Sequence, residues 1–130
     1  MKVLVSSSTE QYFGDQIKSI DSSIELISIN PDNPTDPSWQ DIKNCDVFFL
    51  TYEFMFAAEA NQELIEPLLN LCKQMDFIQT GYAGTDSNLI QSIMKNSSKI
   101  SNASGIHAIP IANYVFAQML RWNKRIDKHI

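Results

Sequence analysis

Short apolar runs and amphipathic stretches alternate along this chain. Lys2–Ser6 (K-V-L-V-S) is a brief run with β-branched side chains and predicts a buried strand. Residues 11–20 place Tyr12, Phe13, Ile17 and Ile20 at near-helical spacing and predict a weakly amphipathic helix. Residues 24–29 predict a second strand. Residues 30–38 hold three prolines and several Asn and Asp, which marks a loop. Residues 39–44 suit a turn or two of helix. Residues 46–51 (D-V-F-F-L-T) predict a third strand, apolar enough to be covered on both faces.

The second half continues the alternation. Tyr52–Ala60 is apolar and aromatic without a clear period, and reads as a loop or short helix at the strand's end. Residues 63–75 predict a helix with Leu64, Ile65, Leu68, Leu69, Cys72 and Met75 on one side; Pro67 fits only its first turn. Phe77–Thr80 predicts a fourth strand. Asp86 suits the cap of a helix over 87–95, with Leu89, Ile90, Ile93 and Met94 turned inward. Residues 99–102 predict a short fifth strand, and Pro110 suits the first position of a long helix to about residue 128.

Strands separated by helices imply right-handed βαβ units and a parallel sheet. The expected fold is α/β and flavodoxin-like: five parallel strands in the order 2-1-3-4-5, helices on both faces, and a long helix at the end. Residues 1–107 form the expected domain, and 108–130 the helix leading out of it. That helix carries Ala112, Val115, Met119, Trp122 and Ile126 in one stripe, with Ile111, Tyr114, Phe116 and Leu120 largely off it. A helix apolar most of the way round is buried on more than one side. Its second face is therefore expected to meet another domain or a second subunit, the alternative being a central place in its own core.

Charge and composition narrow the function classes. A net charge of −5 argues against a nucleic-acid partner, which needs a basic face. No apolar run reaches the roughly 18 residues of a membrane span, and the N-terminal run is too short for a signal peptide, so the cytoplasm is the default. Cys45 and Cys72 read as buried free thiols rather than a disulfide or metal pair. His107 and His129 are too isolated for a metal site. No G-x-G-x-x-G, no P-loop and no G-x-S-x-G elbow occurs.

Two loops remain as candidates. Tyr82-Ala83-Gly84-Thr85 follows strand four and precedes a helix. A tight turn there exposes successive backbone N–H groups, which bind a carboxylate without a basic side chain; otherwise it is a structural strand-to-helix turn. Ser104-Gly105-Ile106-His107 repeats the logic after strand five, with His107 either a ligand contact or a solvent-exposed cap. The serine-rich turn Ser6–Thr9 reads as a helix cap, or more weakly as a phosphate loop, since it lacks a glycine.

These segments resemble one family. F-I-Q-T-G-Y-A-G-T-D over 77–86, followed by I-S-N-A-S-G-I-H-A over 100–108 and the start of the last helix, is similar to the D-isomer-specific 2-hydroxyacid dehydrogenases. Asn102, Gly105, Ala112, Val115 and Ala117 fall at matching positions. One departure is Asn113, where the family carries Glu.

The resemblance implies the N-terminal part of a substrate-binding domain, whose partner is a small 2-hydroxy or 2-keto acid. It implies that NAD or NADP is bound by a Rossmann domain outside these 130 residues, and that the full enzyme is a homodimer. It assigns the substrate carboxylate to the amides of Ala83 and Gly84, with Tyr82 beside them and Thr51 and Tyr52 lining the same cleft. No catalytic residue of the family matches a position here, so the chain alone is expected to be inactive. A rival expectation is a free-standing, non-catalytic flavodoxin-like module that dimerises through its last helix.

Overall fold

The computed structural model describes residues 1–33, 39, 42, 45–97 and 99–124. The expected loop over 34–38, most of the helical turn over 39–44, and the end of the last helix with Ile126 lie outside the described residues. Five strands form one all-parallel sheet: β1 (Lys2–Ser6), β2 (Glu25–Ile29), β3 (Val47–Leu50), β4 (Phe77–Thr80) and β5 (Ile100–Ser101). Their order is 2-1-3-4-5, the flavodoxin-like arrangement expected from the alternation.

Register sets the core. Leu4 pairs with Ile27 and Phe48, Phe48 with Ile78, and Ile78 with Ile100, so one apolar row crosses all five strands. Leu4, Phe48 and Ile78 are completely buried. Three helices cover this face: α2 (Tyr52–Ala60), α3 (Ile65–Gln74) and α4 (Asn88–Asn96). Phe54 and Met55 from α2, Leu68, Leu71 and Cys72 from α3, and Ile90 and Ile93 from α4 share its core. Phe54 meets Phe48 edge-on at 4.9 Å and Trp39 at 6.2 Å between ring centroids. The opposite face holds a smaller cluster of Val3, Val5 and Ile24, against which Ile17 of α1 (Ser7–Ile20) and Leu26 of β2 pack.

Several boundaries and faces differ from expectation. Helix α1 begins at Ser7, four residues early, because the Ser6 hydroxyl accepts from the Thr9 amide at 3.1 Å and caps it. Its Tyr12, Phe13 and Ile20 are exposed; the face it buries is Thr9, Gly14 and Ile17. Gly14 is buried against β2, where an added Cβ would lie at ordinary contact distance, 3.6 Å, from Leu26. Tyr52–Ala60 is helical. The helix expected over 63–75 is split into a 3-10 turn (Gln62–Leu64) and α3, with Pro67 in the first turn of α3. Ser87, not Asp86, caps α4, its hydroxyl accepting from the Ile90 amide, and Met94 points outward.

The last helix, α5 (Ala108–Asn123), starts two residues before Pro110 and buries none of its residues. The alternative of a central place in its own core is thereby excluded for the described residues. Cys45 and Cys72 are free and buried as expected, and burial pushes the Cys72 thiol up to about 12. No helix among the described residues is long and apolar enough to cross a membrane.

The two sheet faces differ in what a truncation should cost. Phe48→Ala empties the centre of the main core and should lose about 3–5 kcal/mol. Phe49→Ala, on the half-buried side, should lose clearly less. Urea denaturation of both variants reads the difference, and equal losses would contradict the assignment of faces.

Candidate functional site

The C-terminal ends of the strands carry every strand-to-helix loop, and two clusters form there. The first lies between β1 and β3, where the strand order reverses direction and open α/β sheets commonly take ligands. Here Ser6 donates to Thr9 Oγ1 at 2.8 Å, and the Ser8 hydroxyl lies 3.2 Å from that of Ser6. Glu53, in the first turn of α2, reaches into this cluster. One of its carboxylate oxygens accepts from the Ser8 hydroxyl, and the other accepts from Thr51 Oγ1 at 3.1 Å. Partial burial pushes the Glu53 carboxyl up, but the Ser6, Ser8 and Thr51 hydroxyls outweigh it and hold it below the usual carboxylate value. A carboxylate of the chain itself thus sits beside the start of α1, where an external anion would otherwise be welcome. Ser6–Thr9 acts as a cap and a Glu53 clasp rather than a phosphate loop.

The second cluster follows β4. The Gly81 amide donates to the Leu50 carbonyl at 3.0 Å and carries the β3–β4 pairing one step past the strands. The next two carbonyls are fixed from the β5 side. That of Tyr82 accepts from the Ala103 amide at 2.8 Å and from Thr80 Oγ1 at 3.2 Å. That of Ala83 accepts from Asn102 Nδ2 at 3.1 Å, while Asn102 Oδ1 accepts from the Ser104 amide. In a trans peptide the N–H points opposite to the carbonyl of the same unit. The amides of Ala83 and Gly84 therefore face away from β5, and nothing among the described residues accepts from them.

Gly84 has no left-handed backbone, and an added Cβ there meets nothing within 4 Å. The fold therefore does not require glycine at this position; what glycine leaves is open space beside two unclaimed donors. Tyr82 flanks the loop with its ring 4.1 Å from that of Tyr52, which in turn stacks on Phe56 at 6.0 Å. Burial, with the Glu59 carboxylate and Tyr52 adding to it, pushes the Tyr82 hydroxyl up to about 12, so it remains a neutral donor. On the β5–α4 side of the loop, a cavity of about 290 Å³ is lined by Thr80, Ile90, Met94 and Asn102 among others.

The structure brings together Tyr82, Ala83, Gly84 and Tyr52. Thr51 is adjacent in the chain, but its hydroxyl is committed to Glu53. His107 is the exposed N-cap of α5, makes no side-chain capping bond and does not line the cavity beside the loop. Glu53 was not among the sequence candidates, because its role depends on β1 and β3 being neighbours. No group of His, Cys, Asp and Glu among the described residues could hold a metal ion. A scan against models of known protein families gives no match to the chain, and a search of curated proteins gives none.

The Glu53 clasp makes stability depend on pH. A carboxyl depressed in the folded state contributes stability above its unfolded pKa and loses it as pH falls through the folded value. Wild type should therefore exceed Glu53→Gln in urea midpoint at neutral pH, and the gap should close on acidification through the carboxylate range. A gap independent of pH would contradict the clasp.

Proposed function

We propose that this chain is the N-terminal part of the substrate-binding domain of an NAD(P)-dependent D-2-hydroxyacid dehydrogenase. It holds a 2-hydroxy or 2-keto acid by the carboxylate. The observation that carries this reading is the pair of unclaimed amides at Ala83 and Gly84, with both neighbouring carbonyls tied back by Ala103 and Asn102. Two N–H groups on one short loop suit a carboxylate, and charge-assisted bonds of this kind are strong for their size. Tyr52 and Tyr82 flank the same loop with their rings in contact.

The contribution of these residues is positional. Fixing the carboxylate fixes C2, the atom between which and nicotinamide a hydride moves in such enzymes. The described residues do not themselves fit a dinucleotide: β1 runs into α1 without glycine, and the Glu53 carboxylate, bound by the Ser8 and Thr51 hydroxyls, puts a negative charge beside that turn. No step involving the cofactor, and no catalytic residue, is assigned to this chain. A second reading, a non-catalytic module that self-associates, is favoured by the exposure of α5 on every side.

Amide NMR of the chain titrated with pyruvate or glyoxylate separates the two. The first reading expects millimolar binding, with the largest shifts at Ala83, Gly84 and Asn102. Gly84→Pro, which deletes one donor, should abolish those shifts, and Gly84→Ala, which keeps it, should retain binding. A folded chain with no shift on titration favours the second reading, and shifts centred on Ser6–Thr9 contradict the first.

A further inference from the structure

Helices α2 and α4 both pack against α3, and a cleft of about 440 Å³ opens between the end of α2 and the start of α4. It is larger than the cavity of about 290 Å³ beside the Tyr82–Gly84 loop and shares no residue with that loop or that cavity. Its floor is apolar: Ile65 and Leu89 are half-buried there and rest on the main core. Its rim is polar. Glu59 comes from the last turn of α2, Gln62 from the 3-10 turn that follows, and Asn88 and Ser92 from one face of α4.

The rim offers acceptors that the fold leaves unused. Among the described residues, the Glu59 carboxylate and the side-chain amides of Gln62 and Asn88 form no hydrogen bond or ion pair. The Ser92 hydroxyl donates to the Asn88 carbonyl at 2.9 Å, which leaves its oxygen free to accept. No Lys, Arg or His among the described residues lines the cleft. Glu59 also sits at the wrong end of its helix for a carboxylate. The last carbonyls of a helix carry a partial negative charge, and the last turn of α2 holds no basic residue to offset it. A cation in the cleft would answer both negative charges at once. A bare metal ion would leave the apolar floor unused, and no group of three His, Cys, Asp or Glu among the described residues assembles to hold one.

We propose that this cleft binds a small organic cation, an ammonium or guanidinium group on a short alkyl chain. The charged head donates to Glu59, with Gln62 and Asn88 accepting its remaining protons, and the methylenes lie on Ile65 and Leu89. Coulomb attraction in a cleft open to water is modest, so the charge-assisted hydrogen bonds and the apolar floor must act together, and the affinity expected is millimolar. The site does not depend on the carboxylate reading of the Tyr82–Gly84 loop, and either can fail without the other.

The test is an amide NMR titration of the full chain with butylammonium and with butylguanidinium. Saturable shifts should centre on Glu59, Gln62, Asn88 and Ser92, and added salt should weaken the binding. Two probes separate the parts of the site in wild type: butanol keeps the chain without the charge, ammonium keeps the charge without the chain, and both should bind clearly more weakly. Glu59→Gln, an exposed position where glutamine keeps the shape, should weaken binding of the alkyl cations about tenfold. Asp15→Asn removes the same charge from the exposed side of α1, over the other sheet face, and should leave binding unchanged. If Glu59→Gln fails to fold, the comparison of the four probes in wild type decides. No shifts in the cleft, equal losses in the two variants, or butanol or ammonium binding as tightly as the alkyl cations each overturns the proposal.

Discussion

Leu4, Phe48 and Ile78 lie in one row across the three interior strands, flanked by Ile27 and Ile100 at the edges, and the functional end of the molecule inherits its geometry from that row. A slip of one residue in any strand would turn its core side chains to the other face. The burial of Phe48 against Phe54 therefore fixes more than stability. It sets where β3 and β4 end, and so where Gly81 meets the Leu50 carbonyl and where Tyr82 meets Tyr52. The loop after β4 is held from both sides: by β3 through Gly81, and by the residues after β5 through Ala103 and Asn102. Such a loop holds its amides in place beforehand, and under the proposed carboxylate reading that pre-organisation would favour affinity.

The same edge shows how one fold separates two neighbouring anion positions. At the β1–β3 junction, the Ser8 and Thr51 hydroxyls bind a carboxylate of the chain itself, Glu53. After β4, the donors are left unclaimed. A ligand carboxylate meets a negative neighbour at the first position and open amides at the second. On the proposed reading, this contrast favours a ligand carboxylate at the β4 loop over the switch point where nucleotides bind in many sheets of this order.

Much of this was legible in the chain. The five strands are short apolar runs bounded by polar or turn residues, and the alternation with helices left little choice of topology. What escaped was what only tertiary neighbours decide. Tyr12, Phe13 and Ile20 look like a buried stripe, but the side turned to the sheet carries Thr9, Gly14 and Ile17, of which only Ile17 gives a hydrophobic signal. Ser87 was passed over for Asp86 because both residue types cap helices equally well. The Tyr82–Gly84 loop was visible from its glycine and its place after a strand. The parts that make it a candidate site were not, because the Asn102 bond to Ala83 and the stacking of Tyr52 join residues far apart in sequence. The last helix carries the excess apolar surface that its pattern predicts, and none of its described residues is buried.

The central claim is that the amides of Ala83 and Gly84 form a carboxylate site built by the sheet edge. A crystal structure of the chain grown with a 2-keto acid tests it most directly. The account predicts a carboxylate with its oxygens at about 2.7–3.2 Å from the Ala83 and Gly84 nitrogens, and the Ala83 carbonyl still bound to Asn102. A carboxylate bound instead at Ser6–Thr9 with Glu53 displaced, or a loop whose amides turn inward onto the protein, would contradict it.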